Sequence, residues 1–418
     1  MDKLITPGAT EGEVDPPSSK SYAQRAIAAA LLTNDVSSLR GMEMCDDTTA
    51  ALRVIQSLGA QVSQTAPGTY IIQGGLNPQS NTLDIGESGL STRLFTPIAA
   101  LCTTPVTITG HGTILKRPMS MMLAPLRALG VRVEAQDNAC LPITVQGPIT
   151  GGEVEIDGSI SSQFLTGLLM ALPLAARDTT IKVVGLRSIP YIDMTLDTMA
   201  RFGIDVDHRS YEEFYIPGGQ RYTPTEMTIE GDWSAASCLL VAGATSGSVT
   251  VRNLNHASLQ ADVRIIEALS RAGARIEQRP GSVTVSHREL RAFEFDATDC
   301  PDLFPALAAL AASCEGTSTI VGTNRLTHKE SDRAAAIRSE YGRLGIAVDL
   351  AQENVMSISG GPITGGVTVD SHGDHRMAMS LAVAALRASS PVVILDAECV
   401  SKSYSDFWED FDKLKIEN

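Results

Sequence analysis

The sequence predicts an α/β chain built from six copies of one unit and arranged as two similar halves. Three observations carry this reading. The chain has 418 residues, too many for one ordinary core, so two domains of about 200 residues are expected. A glycine-centred phrase recurs about every 70 residues. A second family of segments, each with a polar start and an apolar body, interleaves with the first in the same period.

The glycine phrase reads apolar, Gly, small or branched apolar, any residue, Val or Ile. It occurs around Gly59, Gly130, Gly203, Gly273 and Gly345. Each glycine follows an amphipathic stretch and precedes a short alternating run. That pattern predicts a helix closed by a glycine, then a strand. A strand and loop precede each of these helices, as in VTITGHGTILKRPMSMMLAPLRALG. A sixth copy, VVILDAECVSKSYSDFWEDFDKL, ends near the last residue.

The interleaved segments are PPSSKSYAQRAIAAALL, GESGLSTRLFTPIAAL, GSISSQFLTGLLMALPLAA, GDWSAASCLLVAGA, TDCPDLFPALAALAA and SHGDHRMAMSLAVAAL. Lys20, Ser91, Ser162, Ser234, Asp302 and His375 mark equivalent places in them. These helices are apolar nearly all round, so they should be buried, with the amphipathic ones outside.

Composition excludes several functions. The formal net charge is −15, and no basic stripe for nucleic acid is visible. Seven cysteines lie scattered, with no Cys-x-x-Cys pair, so neither a disulfide framework nor a zinc site is expected. The N-terminal MDKLITPGAT lacks an apolar signal core. The longest apolar stretch, near Phe164 to Ala176, is too short to span a bilayer. A reducing cytoplasm fits these features.

The polar segments should all sit at helix N-termini. A helix start offers free N–H groups and partial positive charge, so it suits phosphate or carboxylate. Lys20, Ser21 and Arg25 lie in the first segment, Ser161, Ser162 and Gln163 in the third, and His375 and Arg376 in the sixth. The loops of the other family add Arg117, Tyr191, Lys329, Glu330, Arg333 and Lys402. Taken singly, Lys329 or Arg333 reads as a solvated helix charge and Ser162 as a plain N-cap. Recurrence at equivalent places in an acidic chain points instead to one basic cleft.

With these residues in view, the chain resembles the 5-enolpyruvylshikimate-3-phosphate synthase family along nearly its whole length. The matching motifs are SKSYAQR (19–25), GESGLSTR (86–93), KRP (116–118) and DGSISSQFLTGLLMALPLA (157–175). They continue with PYIDMTL (190–196), EGDWSAAS (230–237), PD (301–302), HKESDR (328–333), GDHRMAM (373–379) and KSYSDF (402–407). The resemblance implies two inside-out α/β domains, each of three βαβαββ repeats, joined by two hinge strands near residues 14 and 229. The expected lobes are 15–229, and 1–14 with 230–418. Two halves on two hinges are expected to close when an anionic substrate binds.

The implied reaction moves the enolpyruvyl group of phosphoenolpyruvate to the 5-hydroxyl of shikimate 3-phosphate and releases phosphate. It needs no metal, nucleotide or other cofactor. By similarity, phosphoenolpyruvate falls to Lys20, Gly89, Arg117, Gln163, Arg333, His375, Arg376 and Lys402. Shikimate 3-phosphate falls to Lys20, Ser21, Arg25, Ser161, Ser162, Gln163, Ser188, Tyr191, Asp302 and Lys329. Asp302 is the expected base at the 5-hydroxyl. Lys20 and Glu330 are the candidates for proton traffic at the methylene and the leaving phosphate, and the sequence leaves open which does which. The partners are these two small molecules, with no nucleic acid or membrane, and the family's usual monomer is the default.

Three positions depart from the family pattern. Glu87 stands where the family often has Asn, and is expected to pair with an Arg or face away. Leu90 and Leu94 replace the usual Thr and Pro, where the family's glyphosate response is tuned, which implies reduced sensitivity. Two alternatives remain. The UDP-N-acetylglucosamine enolpyruvyl transferase family shares fold and chemistry, but carries a catalytic Cys where this chain has Gly112. A non-catalytic anion binder on the same scaffold would not need Lys20, Asp302 and Glu330 together.

Overall fold

The structure is a computed structural model describing residues 1–327 and 329–416. The chain forms two compact units. One is Ser18–Ile229; the other joins Met1–Pro17 to the chain from Glu230 onward.

The 18–229 unit contains α1 (Lys20–Leu32), α2 (Asp46–Ser57), α3 (Gly89–Ala99), α4 (Ser120–Ala128), α5 (Gln163–Ala171) and α6 (Ile189–Arg201). Every residue of α3 is buried, as are Tyr22–Leu32 of α1 and Phe164–Ala171 of α5. Their bodies are mostly apolar, and exposing them would cost about 25 cal/mol per Å² of apolar area; the polar residues near their starts, such as Gln24, Arg25 and Arg93, are buried with them. The amphipathic helices α2, α4 and α6 bury one face each.

Three four-stranded sheets belong to this unit. Their strand orders are Glu226–Thr228, Val36–Arg40, Thr69–Gln73, Gln61–Ala66; then Thr82–Asp84, Val106–Thr109, Ile143–Gln146, Arg132–Ala135; then Gly152–Asp157, Thr179–Val184, Glu213–Ile216, Asp207–Arg209. In each, the first two strands are parallel and the rest antiparallel. A parallel pair needs a crossover, and in the second and third sheets the buried helices α3 and α5 supply it. Each repeat therefore reads βαβαββ.

The other unit repeats the plan with α7 (Trp233–Ser246), α8 (Ile265–Ala272), α9 (Phe304–Ala312), α10 (Arg333–Arg343), α11 (His375–Ala385) and α12 (Phe407–Lys413). All of α9 and α11 is buried, and α7 is buried from Trp233 to Thr245. Two of its sheets borrow strands from the chain start. Thr10–Val14 pairs in parallel with Gly247–Arg252, and Lys3–Ile5 pairs antiparallel with Val392–Leu395. Glu226–Thr228, which leads into α7, pairs with Val36–Arg40 within the 18–229 unit.

The five recurrent glycines, Gly59, Gly130, Gly203, Gly273 and Gly345, all have φ between +76° and +117°. Each ends an amphipathic helix in the left-handed region, where a Cβ is penalised.

Candidate active site

In the 18–229 unit, hydrogen bonds tie the starts of four helices together. On α1, Gln24 is buried and its Oε1 accepts from the Ser88 and Ser91 hydroxyls at 3.1 and 2.9 Å. Ser88 caps α3, its side chain accepting from the Ser91 N–H. Arg25, one turn into α1, is 1% exposed. Its Nε donates to Thr195 Oγ1 at 2.9 Å, its Nη1 to the Ser21 carbonyl at 2.7 Å, and its Nη2 to the Tyr191 carbonyl at 3.0 Å and Thr166 Oγ1 at 3.5 Å. Burial pulls its guanidinium down to about 10, still cationic at neutral pH. Four of its five N–H donors serve the protein. Arg25 thus braces α1 against α5 and α6, and one Nη1 hydrogen is left for a ligand.

The other expected residues of this unit sit at the same helix starts. Lys20 begins α1, and its Nζ lies 3.0 Å from Asp47 Oδ2 in the first turn of α2. Ser162 is the buried N-cap position of α5, and Ser161 Oγ accepts from the Gln163 N–H at 3.2 Å. Gln163 Oε1 accepts from Arg93 Nη1 at 2.8 Å, and the same nitrogen reaches the Gly89 carbonyl at 3.3 Å. Ser188 occupies the N-cap position of α6 with φ of +58° and is buried, and Tyr191 lies in the first turn of α6.

Arg117 follows the 3-10 helix Gly112–Lys116. Its guanidinium lies against the backbone of Gly89, the first residue of α3, where a Cβ would collide with Arg117 Nη1. Only glycine admits this approach. Arg117 is 9% exposed and its Nε is buried without a partner. An unmatched buried donor beside a helix N-terminus marks a place for an anion.

Leu90 and Leu94 point into the apolar core of this unit. The Glu87 carboxylate meets the 3-10 helix: Oε2 accepts from the Thr113 N–H at 3.1 Å and from the Thr113 hydroxyl at 2.8 Å.

In the other unit, ion pairs gather most of the expected residues around two carboxylates. Asp302 lies in the 3-10 turn Pro301–Leu303 leading into α9. Its Oδ1 meets Arg333 Nη1 at 2.7 Å and Lys329 Nζ at 3.2 Å, and its Oδ2 meets Arg376 Nη2 at 3.4 Å. Arg333 begins α10 and is wholly buried. It also reaches Asp374 through Nε at 2.7 Å and Glu330 through Nη2 at 2.8 Å. Asp374 caps α11, with Oδ1 accepting the Arg376 N–H at 3.0 Å. His375, next to it, is fully buried, its Nδ1 3.8 Å from Asp374 Oδ1. Lys402 ends the buried side of the 3-10 segment Ala397–Lys402, which packs along α11.

Electrostatics follow from this packing. Burial works to raise the Asp302 carboxyl, but Lys329, Arg376 and Arg333 outweigh it and hold it well below the usual range. Burial lowers the Lys329 ammonium, with Asp302 acting the other way. A third carboxylate, Asp262, accepts from the Ser234 hydroxyl at the start of α7, and its Oδ1 is buried without a partner. Burial, then Asp302, push it up to about 7.

Several of these residues were given no role from the sequence. The tasks of Arg93, Asp47, Asp262 and Asp374 depend on contacts between distant segments. Arg93 and Asp374 lie inside the motifs GESGLSTR and GDHRMAM; Asp47 and Asp262 lie in none of the quoted motifs.

The family model described as EPSP synthase (3-phosphoshikimate 1-carboxyvinyltransferase) matches residues 5–411. The chain belongs to the EPSP synthase family. It is 40% identical to the 3-phosphoshikimate 1-carboxyvinyltransferase of Methanosphaerula palustris, over 94% of each chain. It is 34% identical to that of Clostridium novyi, over 98% of this chain and 96% of the relative. The solved EPSP synthase of Acinetobacter baumannii superposes with a TM-score of 0.83 at 26% identity, covering 99% of this chain and 98% of that one. The enolpyruvyl transferase NikO of Streptomyces tendae shares the fold, with a TM-score of 0.79 at 17% identity. Among the described residues the two units hold six βαβαββ-type repeats, the last built on the three-stranded sheet of Lys3–Ile5, Val392–Leu395 and Thr368–Asp370.

Proposed function

We propose that the chain transfers the enolpyruvyl group of phosphoenolpyruvate to the 5-hydroxyl of shikimate 3-phosphate, releasing phosphate, as a step toward aromatic amino acids. One observation carries the reading: two part-buried carboxylates, Asp302 and Glu330, stand in a nest with Lys329 and the buried Arg333 and Arg376. A buried ion network adds little to stability compared with apolar packing. Its retention beside helix starts suits an enzyme that receives anions and moves protons.

The reaction is an addition followed by an elimination. An acid protonates the methylene carbon of phosphoenolpyruvate. The 5-hydroxyl oxygen attacks the neighbouring carbon and gives its proton to a base. The tetrahedral adduct then expels phosphate as the new methyl group returns a proton. Arg117, Arg333, Arg376 and Lys402, with Gly89, Gln163 and His375, bind phosphoenolpyruvate. Ser161, Ser162, Gln163 and Ser188 receive the shikimate phosphate. Ser21, Tyr191, Lys329 and the remaining donor of Arg25 hold the ring. Lys20 and Glu330 carry the protons at the methylene and the leaving phosphate.

Asp302 is the base at the 5-hydroxyl. While paired with three cations it is a weak one, since its proton affinity is held down. Arriving anions draw Arg333 and Arg376 toward themselves and loosen that hold, so Asp302 gains basicity when substrate is bound. Each charge-assisted contact contributes about 1.5–3 kcal/mol.

The nucleotide-sugar alternative is disfavoured at Gly112. That residue has φ of +64°, a backbone conformation in which a side chain is strained, and the Cys of that family is missing there. Among the described residues no helix is long and apolar enough to cross a membrane. The resemblance to the family, usually monomeric, supports the proposal of a cytoplasmic monomer.

Phosphate release tests the reading. Release is expected from phosphoenolpyruvate with shikimate 3-phosphate, and not with UDP-N-acetylglucosamine. Lys20→Met and Asp302→Ala should each lower turnover at least about 10²-fold, the usual worth of an acid–base group. Near-normal turnover would remove that residue from the mechanism.

A further inference from the structure

Glu87 places an acidic side chain next to a site built for anions. The residue lies between Gly86, at φ of +62°, and Ser88, the cap of α3. Its carboxylate reaches across to a second loop. Oε2 takes both the N–H and the hydroxyl of Thr113, at 3.1 and 2.8 Å. The carboxylate also rests on Gly112, whose missing side chain makes the space. Thr113 lies in the 3-10 helix that ends at Arg117. One further bond, from the His111 N–H to the Gly86 carbonyl at 3.1 Å, joins the same two loops.

The consequence falls on Arg117. Its guanidinium must lie on the Gly89 backbone with Nε unmatched. Gly89 is two residues beyond Glu87, and Arg117 is four residues beyond Thr113. The Glu87 carboxylate therefore fixes the separation of the helix start and the guanidinium. Both donors of Thr113 point at one oxygen of the carboxylate, which therefore faces the 3-10 helix.

We propose that Glu87 is a positioning residue for phosphoenolpyruvate: its carboxylate latches the Gly112–Lys116 segment to the start of α3 and so holds Arg117 in place. This rests on the reading of Arg117 and Gly89 as phosphoenolpyruvate contacts.

Steady-state kinetics and hydrogen exchange on the full chain test it. Glu87→Ala should raise KM for phosphoenolpyruvate about tenfold, the worth of about one hydrogen bond to a charged group. It should change kcat by less than about threefold and leave KM for shikimate 3-phosphate within about twofold. Glu87→Gln keeps the acceptor oxygen and should bring KM for phosphoenolpyruvate back to within about twofold. Thr113→Val removes the hydroxyl and keeps the N–H, and should raise KM about threefold. Without substrates, residues 112–118 should exchange faster in Glu87→Ala than in the wild type.

An unchanged KM for phosphoenolpyruvate in Glu87→Ala overturns the inference. So does Glu87→Gln behaving like Glu87→Ala, because charge and not hydrogen bonding would then be at work. Unchanged exchange over 112–118 overturns it whatever the kinetics. If the wild type releases no phosphate from the two substrates, the functional reading fails, and the exchange comparison alone still decides whether the latch exists.

Discussion

Asp302 and Asp262 show how one environment drives two carboxyls apart. Both are desolvated. Asp302 has three cations within 3.4 Å and stays ionised. Asp262 has a hydroxyl donor and an unmatched oxygen, and its carboxyl rises to about 7. The consequence for stability differs in sign. Asp302 is depressed when folded, so its stabilising effect is present at neutral pH and fades only in strong acid. Asp262 is raised above its unfolded value of about 3.9. Between about pH 4 and pH 7 the folded state therefore binds more protons, and stability falls as pH rises. Asp262→Asn stays neutral throughout. Its melting temperature should exceed that of the wild type by about 3 °C or more at pH 8, with the gap shrinking toward pH 5. A gap that does not change with pH would exclude a raised Asp262.

At the scale of elements, the central helices matter for how closely they approach. Gly167 of α5 faces the backbone of α3, where a Cβ would run into the Arg93 carbonyl and meet Leu94 Cα at 3.1 Å. Arg93 in turn fixes Gln163 and the Gly89 carbonyl. An added methyl cannot be absorbed by a flexible side chain, since backbone lies opposite. Gly167→Ala should destabilise the protein by about 1–3 kcal/mol despite the better helix propensity of alanine, measured as a lower urea midpoint. A midpoint at or above that of the wild type would show that the two helices can separate without loss. The same helix pair carries Leu90 and Leu94, which pack in the apolar core of this unit.

At the scale of the whole molecule, the chain start completes a unit made mostly of residues beyond 230. Lys3–Ile5 and Thr10–Val14 each close an edge of a sheet there. Removing residues 1–14 would leave the backbone groups of Gly247–Arg252 and Val392–Leu395 unpaired on one side. Hydrogen-exchange protection should fall in those two strands and persist in Val36–Arg40, whose neighbours all lie beyond residue 14. Equal loss in all three would mean that the units do not fold as separate cores.

The sequence by itself determined the repeat, the burial of α1, α3 and α5 with α7, α9 and α11, and the helix starts on which the site residues lie. It could do so because helix periodicity, glycine stops and polar helix starts are local signals, set by residues within one or two turns. The family motifs carried the same local information to named residues. Only the tertiary structure decided which charges meet. Thr166, Tyr191 and Thr195 arrive beside Arg25; Lys20 meets Asp47, and Glu87 meets Thr113. Partners far apart in the chain leave no periodic trace, and the pairing of buried charges is fixed by the packing that removes water around them.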